Sequence, residues 1–108
     1  MKMVIESPLT ETVFLILLSM TEPNHGYGVM QYVEEATEGR VVFGPGTLYG
    51  AINTLAKKGW IKRVDEVDRR KEYQITEKGM ANLQFEIKRM QDVLRIAKHK
   101  GVIVNEKI

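Results

Sequence analysis

The chain contains no cysteine, which removes a disulfide framework, a thiolate zinc site and a cysteine nucleophile together. Histidine occurs only at His25 and His99, far apart and outside any ligand-spaced cluster, so no metal or other cofactor is expected. Long apolar runs are lacking too. The longest, Val13 to Met20 with a break at Ser19, falls well short of the ~20 residues that span a bilayer. Glu6 and Glu11 precede it and a basic leader segment is nearly absent, which does not fit a secretory signal. Phosphate-cradling glycine loops and nucleophile elbows are missing. The acidic pairs Glu34-Glu35 and Asp65-Glu66 are adjacent in sequence and diverge instead of converging. These absences predict a soluble, cytoplasmic chain that is not an enzyme and has no membrane partner.

Positive charge is scarce in one part of the chain. Residues 1–38 hold a single Lys and six Glu, whereas the remainder holds 15 basic and 8 acidic residues. The formal net charge of +2 therefore joins an acidic portion to a basic one, a pattern that suits an anionic partner for the basic part. The 108 residues allow one compact domain, and a chain this short buries only about 60–70% of its unfolded surface. A partner subunit would supply the missing burial.

Ser7-Pro8 reads as an N-cap with proline at the first helical position, opening a helix over about 8–21. Its centre, from Val13 to Leu18, is apolar on every face, which predicts burial on every side. Asn24 is the expected cap of a second helix over about 25–38, with Val29, Met30, Val33 and Ala36 on one face and Gly39 as its stop. Arg40 to Phe43 suggests an edge strand. Gly44-Pro45-Gly46-Thr47 opens a third helix that ends at Gly59, with Leu48, Ile52 and Leu55 on its apolar face. Trp60 to Val67 and Lys71 to Thr76 then predict a β-hairpin. The first strand does not keep one parity at Ile61, Val64 and Val67, so a bulge is expected there.

Thr76 caps a last helix that runs to about Lys100, before Gly101, for ~36 Å. Met80, Leu83, Ile87, Met90, Leu94 and Ala97 recur at heptad spacing on it. A ~36 Å helix offers more apolar stripe than a small domain covers. These six residues, with Phe14 and Leu17 of the first helix, are therefore the expected homodimer interface.

The fold class is thus mainly α with a small β-hairpin. A winged helix-turn-helix domain spans 1–76, a C-terminal dimerisation helix spans 77–100, and 101–108 is a frayed tail. In such an arrangement the third helix enters the major groove of double-stranded DNA and the wing reaches the backbone or minor groove. Thr47, Tyr49, Asn53, Thr54 and Lys57 lie on the polar side of the third helix. Asn53 is the best base reader, since its amide matches adenine, while Thr47 and Tyr49 suit phosphate. His25 and Tyr27 open the second helix, where free backbone N–H groups favour phosphate. A packing role for His25 and a core role for Tyr27 stay open at this point. Lys62, Arg63, Arg69, Arg70 and Lys71 supply the basic wing.

Three stretches, His25-Gly26-Tyr27-Gly28, Gly46-Thr47-Leu48-Tyr49 with Lys58-Gly59-Trp60-Ile61, and Arg69-Arg70-Lys71-Glu72-Tyr73-Gln74-Ile75-Thr76-Glu77-Lys78-Gly79, carry a family resemblance. With the order of elements they resemble the short PadR-type transcriptional regulators over about residues 8–97. Trp60 and Glu72 depart from the common pattern. The resemblance implies a winged-helix homodimer that represses transcription from a pseudo-palindromic operator and is released by a small-molecule effector. Trp60 lies before the wing and Phe85 is the one aromatic on the last helix, so an aromatic drug sandwich is not indicated and no effector residues are assigned. The alternative is a winged-helix protein-interaction module without DNA readout, which has no need of a polar third helix or a basic wing.

Overall fold

The computed structural model describes residues 5–67, 70–102 and 104, with the side chains of 65–67 outside that description. Its elements run α1 (Glu11–Ser19), β1 (Asn24–His25), α2 (Gly26–Ala36), α3 (Pro45–Lys57), β2 (Ile61–Val67), β3 (Arg70–Ile75) and α4 (Glu77–His99). The strands form one antiparallel sheet in the order β1-β3-β2.

Helix α1 begins three residues later than Pro8 predicts. The Ser7 hydroxyl donates to the Glu86 carboxylate at 2.9 Å and is not used as a cap. Thr10 takes that role, its Oγ1 accepting from the Val13 N–H at 3.1 Å. Residues 5–9 form an irregular arm instead of a first turn, and the Ser7–Pro8 peptide is cis.

Asn24 does not cap α2. Its Oδ1 accepts from the His25 N–H at 2.9 Å and its Nδ2 donates to the Ser19 carbonyl at 3.1 Å. His25 is the N-cap residue and makes no side-chain cap bond. Asn24 and His25 pair instead with Tyr73 and Glu72 of β3. That occupies the free edge of the hairpin, and the strand expected over Arg40–Phe43 does not form. The Val41 N–H is held by the Thr37 hydroxyl at 3.0 Å, and the Arg40 guanidinium reaches the Glu11 carboxylate at 2.7 Å. Helix α2 stops at Ala36, two residues early, because Glu38 adopts a left-handed φ of 52° and the Gly39 N–H closes back on the Glu34 carbonyl at 2.8 Å. Ala36, expected on the apolar face, is exposed, while Val29 and Val33 are buried.

Helix α3 starts at Pro45 and buries Leu48, Ile52 and Leu55, as the spacing predicts. It ends in a Schellman turn. Gly59 takes φ 76°, and the Trp60 N–H bonds the Leu55 carbonyl at 3.0 Å. The hairpin contains the expected irregularity, a register shift between Arg63 and Glu66.

The core gathers Ile16, Leu17 and Met20 of the α1 region, Val29, the buried face of α3, Trp60, Ile61, Ile75 and Leu83. Thr76 caps α4, its Oγ1 accepting from the Gly79 N–H at 3.2 Å. Gly79 lies so close to the Trp60 carbonyl that a Cβ there would overlap it, so the start of α4 is fixed against the core by an absent side chain.

The expected dimer residues divide along α4. Leu17 and Leu83 are corrected: both are closed inside the chain's own core, where α1 packs on the first half of α4, and neither has surface to give. Phe14, Met80 and Ile87 are half-buried against that core. In the second half of α4, Met90, Val93, Leu94 and Ile96 are exposed, Leu94 at 67%. Ala97 is half-buried.

Candidate nucleic-acid interface

Three elements carry exposed polar and basic side chains, and Thr54 lines a separate cleft with Glu6, Lys58 and Trp60. Thr47, Tyr49, Asn53, Thr54 and Lys57 are all exposed on α3, opposite its buried face. Tyr27 is 67% exposed at the start of α2, which excludes the core role. Lys62, Arg70 and Lys71 are exposed on the wing strands, as is Arg63, which has an interaction partner of its own. Arg69 lies outside the described residues.

The pairing of β1 with β3 joins the wing to the N-terminus of α2. His25 sits opposite Glu72, and Arg70 Nη1 lies 3.2 Å from His25 Nε2. His25, Tyr27, Tyr49, Arg70, Lys71 and Tyr73 line an open cleft of about 400 Å³ between α2, α3 and the wing.

The sequence explains why these groups fit together. Gly26 leaves room for the Tyr49 hydroxyl, which would lie 2.9 Å from a Cβ at that position. A Cβ at Gly28 would overlap Asn24 Oδ1, the atom that holds the His25 N–H. The two glycines of His25-Gly26-Tyr27-Gly28 therefore seat Tyr49 and Asn24 respectively. Helix α2 has no acidic residue in its first turn and no side-chain cap. Its N-terminal dipole and free N–H groups add to the positive potential of Arg70 and Lys71.

Sequence reasoning missed a second polar constellation, formed by α4 and the arm of residues 5–9. Asn82 and Glu86 of α4 are buried. Glu86 accepts from Arg89 at 2.9 and 2.7 Å, from the Ser7 hydroxyl at 2.9 Å and from the Leu9 N–H at 3.1 Å. The Arg89 hydrogen bonds, with those of Ser7 and Leu9, hold the Glu86 carboxyl at about 2 against the opposing effect of burial. Asn82 Oδ1 accepts from the Glu6 N–H at 2.8 Å. No sequence signal points to it, because the buried α4 positions 79, 82, 83 and 86 put polar residues where the heptad reading expects solvent. Lys58 also differs from its neighbours in the basic stretch. It pairs with Glu6 and lies 5.1 Å from the Trp60 ring centroid, away from the cleft.

Among the described residues, no group of three or more His, Asp or Glu converges as a metal site, and no helix is long and apolar enough to cross a membrane.

The fold and these motifs have counterparts. The model of the transcriptional regulator PadR-like family matches residues 14–85, about two thirds of the chain. No curated protein matches the chain. Among solved structures, a transcriptional regulator from Clostridium thermocellum is similar at a TM-score of 0.67 and 23% identity, over 82% of this chain and 90% of that one. A PadR family transcriptional regulator from Eggerthella lenta is similar at 0.66 and 25% identity, over 86% and 82%. A Streptococcus transcriptional regulator is similar at 0.67 and 18% identity, over 84% and 91%. With the family model covering the helices, the wing and the start of α4, this chain belongs to the PadR-like family of transcriptional regulators, DNA-binding proteins and not enzymes.

Proposed function

We propose that the chain is a homodimeric repressor that reads a pseudo-palindromic operator in the cytoplasm and releases it on binding a small-molecule effector. In each subunit α3 enters the major groove. Asn53 reads a base edge, with adenine as the preferred partner. Thr47, Tyr49, Thr54 and Lys57 flank it on phosphates and groove walls. The wing residues Lys62, Arg63, Arg69, Arg70 and Lys71 follow the adjacent backbone, and His25 and Tyr27 bring a phosphate to the N-terminus of α2.

The observation that carries this reading is the shared cleft of α2, α3 and the wing. Its Arg70 and Lys71 are exposed and lie beside Tyr49 of α3 and the His25 and Tyr27 side chains that open α2. A protein-interaction module has no need of that convergence. The exposed second half of α4 supports the dimer, since Met90, Val93, Leu94 and Ile96 form an apolar stripe beyond the end of the core. Two copies joined along α4 would place their α3 helices on half-sites about 34–36 Å apart, or a multiple of that distance. The resemblance to regulators that let go of DNA on binding a ligand supports the effector.

Selection of bound sites from random duplex DNA tests the reading. Enrichment of an inverted repeat is the expected result. Retention of DNA without any enriched sequence would reduce the function to nonspecific binding.

A further inference from the structure

We propose that residues Glu6–Leu9 form a strap that transmits the position of α4 to the C-terminal end of α3, making Glu6 and Glu86 positioning residues for the DNA-reading helix. For its consequence on DNA this rests on the function proposed above. The mechanical link itself does not.

One end of the strap is anchored on buried side chains. Asn82 and Glu86 lie one turn apart on α4 and face the arm. The Asn82 amide is oriented by its Nδ2, which donates to the Lys78 carbonyl at 3.0 Å, leaving Oδ1 to the Glu6 N–H. The two Glu86 oxygens take the Ser7 hydroxyl and the Leu9 N–H. The other end reaches α3. The Glu6 carboxylate holds Lys58 Nζ at 2.9 and 2.8 Å. Lys58 is the C-cap residue of α3, at the negative end of its dipole. Four residues of irregular arm thus connect a buried carboxylate on α4 to the last turn of α3.

The anchor also faces the exposed half of α4. Arg89, which neutralises Glu86, stands beside Phe85, Asp92 and Arg95 in an open cleft on α4. Whatever orders that half of the helix orders Arg89, then Glu86, then the strap. A clamp serving only stability would not need the Glu6–Lys58 link, because an ion pair this exposed contributes little to folding.

Amide exchange reads the link directly. The N–H groups of Lys58, Gly59 and Trp60 close the end of α3 on the carbonyls of Thr54, Ala56 and Leu55. Glu6→Ala and Glu86→Gln should each speed exchange there about fivefold, relative to the Ile16 and Leu17 amides of α1. The double variant should be no faster than the faster single, since both cut one line. Lys58→Arg, which keeps the ion pair, should retain protection. Multiplication of the two effects, or a Glu86→Gln variant that leaves these amides unchanged, would overturn the strap.

A DNA readout separates positioning from charge. Removing a carboxylate from a DNA binder strengthens binding by electrostatics alone. The strap predicts the opposite sign: Glu6→Ala should bind the selected site about fivefold more weakly, with an unchanged salt slope. Tighter binding would contradict it. A wild-type chain that enriches no DNA sequence would remove the proposed function, while the exchange cycle decides the strap independently.

Discussion

Replacing Glu86 with alanine should cost this fold about 3 kcal/mol at neutral pH. The carboxylate is 2% exposed and accepts four hydrogen bonds, two of them from Arg89. Breaking a buried ion pair by removing one partner costs roughly 3–5 kcal/mol. The lower end applies because the Arg89 side chain is 38% exposed and regains water once its partner is gone. In a domain of this size 1 kcal/mol moves the melting temperature by about 4 °C, so the variant should melt about 12 °C lower. Thermal denaturation followed by circular dichroism, at one fixed protomer concentration, measures it. The pH dependence is a second signature. The folded-state value of about 2 lies below the ordinary 4.5, so between those values the unfolded chain binds more protons than the folded one. The stabilisation is complete above pH 4.5 and fades as pH falls towards 2. The gap between wild type and Glu86→Ala should therefore be widest near pH 7 and close progressively below pH 4.5. A loss under 3 °C, or a gap as wide at pH 2.5 as at pH 7, would refute the assignment of Glu86 as the buried anchor of the arm.

Other consequences concern the DNA face and the helix beyond it. Arg70→Ala and Lys71→Ala should each lower the slope of log affinity against log salt by about 1 and weaken binding evenly across sequences, as titrations at several salt concentrations would record. Asn53→Ala should cost about 1–3 kcal/mol of discrimination at one base pair per half-site while leaving nonspecific affinity nearly intact, and an equal fall in both would make Asn53 a positioning residue. Leu94→Glu should shift sedimentation from dimer to folded monomer without loss of helical signal, because that side chain lies outside the chain's own core. Gly79→Ala should destabilise by about 1–3 kcal/mol, since its Cβ overlaps the Trp60 carbonyl and α4 must move, and urea denaturation would show it.

Local chemistry explains which parts were legible in sequence. Gly44-Pro45 sets the start of α3, Thr76 sets the start of α4, and the parity break at Ile61, Val64 and Val67 marks the bulge. Each signal acts within a few residues of itself. The misreadings have a common origin in distant partners. Ser7 looks like a cap until Glu86, 79 residues away, takes its hydroxyl. Asn24 looks like a cap until Ser19 and β3 claim it, and a two-residue strand carries no periodicity to read. The heptad on α4 merges two faces, one in the chain's own core at Leu83 and one exposed at Leu94. For the interface, the polar face of α3 was readable from its spacing. The contact of His25 with Arg70 was not, because it depends on the β1–β3 pairing.

The central claim is that α3 and the wing read DNA as a symmetric pair. Binding of the purified protein to the site it selects from random duplexes tests this most directly, in competition with a scrambled duplex at physiological salt. An inverted repeat should be bound at least about 10³-fold more tightly than the scrambled sequence, with two protomers per duplex. Equal affinity for both duplexes, or one protomer bound per site, would contradict it.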